Sequence, residues 1–237
     1  MVMTAQTLSP AENSRRLQVT RIGLKRALPQ ADLSLDRLGF EADGALVVEG
    51  EAASLAVKKR ALRLAAILSN AIGIVDRLHV RTAGQVSDAD VRVHLIDMFS
   101  LDPRFADLPA RAGDCAGRGL GVAVEGGVVT LTGLVPSLVR QRLAGAVAWR
   151  APGVRDVVNG LGVEPPEADG PDELEEAVRE ALDGHPLFDD AQVKVGVFGD
   201  AVRLTGLVQT ADARAAAEEE AWRILGVDDV INEIEVG

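Results

Sequence analysis

The sequence has no tyrosine, only one cysteine and few aromatic residues, which make up 3% of its 237 residues. A core with so few aromatic rings has to be built from Val, Leu, Ile and Ala, and base-stacking platforms for single-stranded nucleic acid are disfavoured. The single Cys115 excludes an intramolecular disulfide framework and fits a reducing compartment.

Long apolar runs are also missing. No segment approaches the roughly 18 apolar residues of a membrane span. The first residues, MVMTAQTLSPAENSRR, lack the basic region and apolar stretch of a secretory signal. We therefore expect a soluble cytoplasmic protein, unless a leader has been removed by processing; a peripheral position at a membrane stays open.

The sequence does contain a repeat. The segment GGVVTLTGLVPS at residues 126–137 returns as GDAVRLTGLVQT at 199–210 and, in weaker form, as DGALVVEGEAAS at 43–54. Each copy predicts a strand, a closing glycine and the start of a helix. A repeat of this kind favours several small units over one large domain.

Aligning the copies on the closing glycine brings further residues into equivalent positions. Two sets of alanines, four residues apart, predict a helix face that lies close to a sheet. A hydroxyl residue before each helix predicts an N-cap, and Asn or Gly after it predicts left-handed backbone at its end. The sets are Gly50, Gly133 and Gly206; Ala61, Ala144 and Ala217; Ala65, Ala148 and Ala221; Ser54, Ser137 and Thr210; and Asn70, Gly153 and Gly226.

Each repeat has a second helix and a hairpin ahead of the repeated segment. The helical patterns run from Pro10 to Leu28 with Ser9 as the cap, from Asp88 to Phe99, and from Asp172 to Leu182. Alternating segments such as VKVGV at 193–197 turn through glycine-containing pairs into the next strand, which predicts hairpins. We predict an α+β fold of three repeated helix-strand-strand-helix-strand units. Each is a small three-stranded mixed sheet packed against two helices, with a right-handed crossover.

Three groups of residues recur in the same order within the copies. The second copy has Asp102-Pro103; Gly127, Val129, Leu131 and Gly133; and Gly153, Val154, Val157 and Asn159. The third has His185-Pro186, Leu204, Gly206, Gly226, Val227, Val230 and Asn232. The first departs most, with Asn70 in place of the glycine and Asp76 in place of the asparagine. In this order the residues resemble the BON domain family (bacterial OsmY and nodulation), in three tandem copies. The resemblance implies phospholipid-binding or envelope-associated modules linked to osmotic stress.

Breaks in the pattern predict the unit boundaries. We define a first unit at residues 1–82 with its N-terminal helix, a second at 83–163, and a third at 164–237 that begins with an acidic, proline-rich linker. The second unit contains an inserted loop at 108–119, which we expect to be mobile.

No group of residues predicts catalysis. The segment AGRGLG at 116–121 precedes a strand instead of opening a helix, so it is a poor phosphate loop. The three histidines fall in three different units without metal-ligand spacing. Trp149 and Trp222 are equivalent and are interpreted as filling the same packing site twice. We predict a protein that is not an enzyme and that has no cofactor or metal site.

Charge is distributed unevenly among the three units. The first unit has 12 basic and 8 acidic residues (+4), the second has 8 of each, and the third has 5 basic and 20 acidic residues (−15). Equivalent helices carry Lys58, Lys59, Arg60 and Arg63 in the first unit and Glu218, Glu219 and Glu220 in the third; the first helix adds Arg15 and Arg16.

Two classes of partner follow from this charge distribution. The resemblance favours phospholipid or membrane-surface association under envelope or osmotic stress, with Lys58, Lys59, Arg60 and Arg63 as the candidate lipid-binding residues. The alternative is a self-associating or scaffold protein that assembles head to tail, in which Arg15, Arg16, Glu218, Glu219 and Glu220 are the candidate protein-interaction residues. The resemblance also implies a minor alternative, a cytoplasmic potassium-responsive binding protein. The acidic remainder of the chain disfavours nucleic acid as a partner.

Overall fold

The computed structural model describes residues 10–29, 32–183, 185–188 and 192–237. The chain forms two compact bodies, Met1–Arg81 and Thr82–Gly237. The first body corresponds to the first unit, and the second body contains the other two. The predicted cap Ser9 lies outside the described residues.

The first body contains two helices and one sheet within its described residues. Its elements are α1 (Pro10–Ala27), β1 (Leu33–Phe40), β2 (Leu46–Ala52), α2 (Leu55–Ser69) and β3 (Ile74–Val80). The helices α1 and α2 pack against each other, and their apolar faces cover the sheet. The predicted order of elements is therefore confirmed here.

The second body contains two further groups of helices and strands, the first of which has one additional strand. Its first half contains α3 (Asp88–Leu101), β4 (Ala110–Ala112), β5 (Leu120–Glu125), β6 (Val128–Val135), α4 (Leu138–Arg150) and β7 (Asp156–Val163). Its second half contains α5 (Pro171–Asp183), β8 (Gln192–Phe198), β9 (Ala201–Val208), α6 (Ala211–Arg223) and β10 (Asp229–Val236). The described residues thus form an α+β fold with six helices and three small mixed sheets.

The three sheets share one pairing pattern. The strands β2, β6 and β9, which we call the middle strands, each pair antiparallel with the preceding strand. Each also pairs parallel with the strand that follows the crossover helix, which is α2, α4 or α6. The register is also the same, because the closing glycine lies 28 residues before its partner each time: Gly50 with Leu78, Gly133 with Leu161, and Gly206 with Ile234.

The closing glycine is required by its backbone conformation. Gly50 and Gly133 have φ values of 150° and 126°, in the region that favours glycine. A Cβ on Gly50 would overlap the carbonyl oxygen of Ser34, and one on Gly133 would overlap that of Gly119. The repeated glycine therefore marks a close approach between the middle strand and the chain beside it.

The crossover helices begin and pack as predicted. Ser54, Ser137 and Thr210 each accept a hydrogen bond from the backbone N–H three residues later. All six alanines of the two predicted sets are fully buried. Small side chains at these positions let each helix lie directly on its sheet.

The ends of these helices differ between the units. Asn70, with φ 48°, directly caps α2, whereas α4 and α6 end earlier and Gly153 and Gly226 lie in the following turns with φ 88° and 94°. The tryptophans also differ, since Trp222 is fully buried and Trp149 is only half-buried. That the two tryptophans fill equivalent packing sites stays a prediction.

The inserted segment of the second unit is partly regular structure. Its residues Ala110–Ala112 form β4, which pairs parallel with β5 and makes this sheet four-stranded. The Cys115 backbone N–H donates to Thr132 Oγ1 at 2.9 Å, and the Cys115 side chain is buried. A Cβ on Gly121 would collide with the backbone of Gly113 and Cys115, so the segment lies against the sheet.

Candidate interaction surfaces

The first unit places one of its four candidate lipid-binding cations in the interior. Lys58 is 4% exposed; its ammonium donates to the Leu78 carbonyl at 2.7 Å and pairs with Asp76 at 2.9 Å. A side chain held in this way between helix and sheet cannot reach a lipid headgroup, so Lys58 is withdrawn from the candidate surface. Lys59 is half-buried, and Arg60 and Arg63 are exposed.

Exposed isoleucine, valine and arginine side chains share one face of each helix in the first unit. On α1 the stripe Arg15, Val19, Ile22 and Arg26 follows helical spacing, and all four residues are exposed. On α2 the stripe is Arg60, Arg63 and Ile67, and Ile67 is 66% exposed. We call these seven residues the arginine–isoleucine stripes. They combine cationic groups with apolar side chains that the first body leaves uncovered.

Arg16 has a structural position instead of an exposed one. Its guanidinium donates to the carbonyl oxygens of Ser69 at 3.5 Å and Asn70 at 3.3 Å, at the C-terminal end of α2. A cation at this end of a helix satisfies free carbonyl groups and complements the helix dipole. Arg16 therefore fixes α1 onto α2.

The three candidate glutamates of α6 have three different environments. Glu219 is exposed and pairs with Arg223 at 3.2 Å. Glu218 is half-buried and accepts from the Asn232 side-chain amide at 3.3 Å. Glu220 is 1% exposed, which removes it from any outer surface of the third unit.

Glu220 belongs to an interface between the second and third units. Its carboxylate accepts from Arg150 of α4 through both Nε and Nη2, the shortest distance being 2.6 Å, and it also pairs with Arg223. The His185 ring nitrogen Nε2 lies 4.0 Å away. A two-point contact between a guanidinium and a buried carboxylate fixes both distance and orientation. The acidic third unit thus finds a cationic partner inside the same body.

Arg104 makes a second contact across this interface. Asp102 holds its guanidinium at 2.6 Å, and Arg104 donates onward to the Glu180 carbonyl of α5 at 3.2 Å. Burial alone would raise the pKa of Asp102, but hydrogen bonds from the Arg104 side chain and backbone, together with the guanidinium charge, hold that pKa below its ordinary value. Asp102 also caps the short 3-10 turn Pro103–Phe105.

The linker between the two units is attached to α4 by its carboxylates. Glu167 accepts from the Leu138 backbone N–H at 2.8 Å, at the N-terminus of α4. Asp169 pairs with Arg142 at 2.6 Å, and Arg142 also donates to the Leu225 carbonyl at 3.0 Å. The carboxylates of Glu167 and Asp169 therefore hold the linker against the second unit.

Sequence reasoning did not find the three interface arginines Arg104, Arg142 and Arg150. One signal was available, since Arg150 and Arg223 occupy equivalent positions at the ends of α4 and α6. Residues 142–148 of α4 are buried throughout, without the polar face of a surface helix. That pattern indicates a helix covered on two sides.

The described residues contain no group of three or more His, Cys, Asp or Glu side chains that could hold a metal ion. Within the same part of the chain, no helix combines the length and the apolarity needed to cross a membrane.

The family model of the BON domain matches residues 108–165 and 171–237. These segments make up more than half of the chain, and the protein therefore belongs to the BON domain family. They correspond to most of the second unit and to the third unit without its linker, whereas the first unit lies outside the match. No curated protein matches this chain.

Two solved structures are similar in part. One is CdsD, a structural protein of the type III secretion system of Chlamydia trachomatis, with 16% identity over 92% of this chain and 91% of that chain and a TM-score of 0.25. The other is the C-terminal domain of CdsD, with 18% identity over 91% of this chain and 96% of that chain and a TM-score of 0.24.

Proposed function

We propose that this protein is a non-enzymatic phospholipid-binding protein that attaches to anionic membrane surfaces through its first unit. Membership of the BON family supports a role at membranes or in envelope stress. The observation that carries the proposal is the pair of arginine–isoleucine stripes. Exposed apolar side chains flanked by cations suit the boundary between headgroups and acyl chains.

The electrostatic attraction between the stripes and an anionic surface contributes substantially to the binding free energy. Each cation close to an anionic surface contributes about 1 kcal/mol, and the stripes contain Arg15, Arg26, Arg60 and Arg63. The first unit has a net charge of +4, whereas the third has −15. The third unit is therefore repelled by the same surface, which would orient the bound protein.

We also propose that residues 10–81 are a third, diverged BON unit. Its parallel strand pair has the same register as in the matched units, and Gly50 has a positive φ as Gly133 and Gly206 do. The cytoplasmic position expected from the N-terminal residues stays a prediction.

The test is co-sedimentation of the full chain with vesicles of phosphatidylglycerol and phosphatidylcholine, and with vesicles of phosphatidylcholine alone. We expect binding only to the anionic vesicles and a decrease with added salt. The double variant Arg60→Glu with Arg63→Glu should lower the affinity at least about tenfold. Lys58 is left unchanged because reversing a buried charge would damage the fold.

The matched control reverses two exposed arginines of the second body, Arg111→Glu with Arg179→Glu. This variant changes the net charge of the chain by the same amount and should bind like the wild type. Equal losses in both variants would show that only total charge matters, and unchanged binding in the Arg60, Arg63 variant would refute the proposed surface.

A second candidate function is assembly of copies head to tail, through the basic first unit and the acidic third unit. The Arg150–Glu220 contact favours it, because it is an example in this chain of two units joined by arginine and carboxylate on their crossover helices. Glu219 is the exposed candidate on the acidic side. Sedimentation without vesicles tests this candidate: large species that disappear with salt support it, and a monomer at low salt refutes it.

A further inference from the structure

The outer edge of β8 in the third unit is the equivalent of an edge that the second unit uses for strand pairing. In the second unit, Leu120 donates its backbone N–H to the Pro109 carbonyl, and the Val122 carbonyl accepts from Gly113. These bonds hold the β4 segment against β5. The pairing registers Gly121 with Thr132 and Lys194 with Thr205 make Val193 and Val195 the equivalents of Leu120 and Val122.

The backbone groups of Val193, Val195 and Val197 therefore point away from β9. Within the described residues, β8 is the last strand of its sheet, and no strand pairs with this edge. The side chains of the three valines are half-buried, whereas Leu120 and Val122, which β4 covers, are fully buried. Among the residues that the structure describes, the third unit thus has the same edge without a covering strand.

Four other sheet edges, those of β1, β3, β7 and β10, are blocked by side chains or by irregular backbone. On β7 the outward N–H groups of Val157 and Leu161 donate to the side chains of Asp156 and Asn159. On β10 and β3 the same role is played by Asp229, Asn232 and Asp76, and β1 has a bulge between Leu35 and Arg37. Occupied donors and bulges are devices that prevent edge-to-edge association. Within the described part of the third unit, the β8 edge, QVKVGVF, has neither.

We propose that β8 is a self-association edge, at which two copies of this chain pair β8 antiparallel across a two-fold axis through Val195. The sequence is symmetric about this residue in the positions of its valines, which occupy 193, 195 and 197. In this register Val195 faces Val195 of the second copy and Val193 faces Val197. All outward backbone groups of the three valines are then paired.

The open face of the sheet gives this register a specific charge pattern. Lys194, which is exposed, and Gly196 alternate with the three half-buried valines and so lie on the opposite face of the strand. In the proposed pairing, each Lys194 is directly opposite Gly196 of the other copy. No lysine therefore faces a lysine. A side chain added at Gly196 meets only the Phe198 ring of its own chain, at 3.7 Å, so this position accepts substitution.

The third units repel each other at long range, because each has a net charge of −15. Salt screens such repulsion. We expect this dimer to strengthen with added salt, which is opposite to the behaviour of a head-to-tail assembly or of vesicle binding. The inference is independent of the lipid proposal, since it involves neither the first unit nor a membrane.

The experiment is analytical ultracentrifugation of the full chain without lipid, over a concentration series at low and moderate salt. We expect a monomer–dimer equilibrium that moves toward the dimer with salt. Val195→Pro removes an outward N–H and should abolish the dimer. Gly196→Lys places two lysine pairs across the axis and should raise the dimer Kd about 2- to 30-fold, whereas Gly196→Glu should bind more tightly than Gly196→Lys.

The double variant Lys194→Glu with Gly196→Lys reverses the charge pairing and should recover the affinity lost in Gly196→Lys. If Val195→Pro unfolds by circular dichroism, the Gly196 variants decide alone, because their side chains point away from the core. A monomer under all conditions would overturn the proposal. So would a dimer that does not distinguish Lys from Glu at Gly196.

Discussion

The salt bridge between Lys58 and Asp76, 2.9 Å long, takes the place of an amide contact in the other two units. At the equivalent positions, Asn159 donates its side-chain amide to the Gln141 carbonyl and Asn232 donates to the Arg214 carbonyl. Aspartate cannot donate in this way, and a lysine on the helix supplies the donor instead. Where the first unit has Asp76 instead of asparagine, the facing helix thus has Lys58 at the position of Gln141 and Arg214.

The side-chain oxygen keeps one role in all three units. Asp76, Asn159 and Asn232 each accept from the backbone N–H two residues later, at 2.9, 3.3 and 3.2 Å. The asparagine of the BON pattern therefore occupies the edge of the last strand and also joins that strand to the crossover helix.

Removing the carboxylate of Asp76 should weaken the first unit. We expect Asp76→Ala to lower the free energy of unfolding by about 2 kcal/mol, because Lys58 stays buried without its counter-ion and Asp76 itself is partly exposed. The double variant Lys58→Gln with Asp76→Asn, which copies the Gln141 and Asn159 pair, should recover most of the loss. Hydrogen exchange of the β3 amides measures the change, and additive losses in the double variant would contradict the pairing.

Neutralising Glu220 should weaken the second body much more than neutralising its neighbour. We expect Glu220→Gln to cost about 3 kcal/mol, because Arg150 and Arg223 lose the carboxylate that they share. The exposed Glu219→Gln is the matched control and should change stability by less than about 0.5 kcal/mol. Urea unfolding followed by tryptophan fluorescence reports this body alone, since Trp149 and Trp222 both lie in it. Equal effects of the two variants would disprove the buried contact.

Substituting the closing glycine of the second unit should be severe. Gly133→Ala places a Cβ against the Gly119 carbonyl at φ 126° and should cost more than about 2 kcal/mol. Gly117→Ala, where an added Cβ meets nothing within 4 Å, should be nearly neutral. The same fluorescence-detected unfolding compares the two, and a stable Gly133→Ala protein would mean that the strand does not need this conformation.

The pair of Asp102 and Arg104 should make stability depend on acid pH. The pKa of Asp102 is lowered in the folded state, so the unfolded chain binds the proton more readily. The resulting stabilisation is complete at neutral pH and is lost as the pH falls below about 4 and through the folded-state pKa. Comparing urea unfolding at pH 7 and pH 3 should therefore show a smaller decrease for Asp102→Asn than for the wild type. Asp97→Asn on the exposed side of α3 serves as the control, and a decrease in Asp102→Asn as large as in the wild type would contradict the assignment.

Much of each unit could be predicted because its signals are local or periodic. The hydroxyl caps Ser54, Ser137 and Thr210 act within one helical turn. The alanine faces follow the helical period. The closing glycines depend on backbone conformation, which the residue type alone restricts. Repetition of these signals along the sequence also predicted the order of strands and helices.

Tertiary structure decided which charges are available to a partner. In the sequence, Lys58 and Glu220 cannot be distinguished from their exposed neighbours Arg60 and Glu219. Each is nevertheless buried in an ion pair with a residue of another element, Asp76 or Arg150. The strand β4 and the interface arginines likewise depend on contacts between distant segments. Local sequence determined the helix caps and the closing glycines, because a cap needs only residues within one helical turn and a positive φ depends on the residue type itself. Burial and ion pairing are set by which elements meet, and only the folded chain determines that.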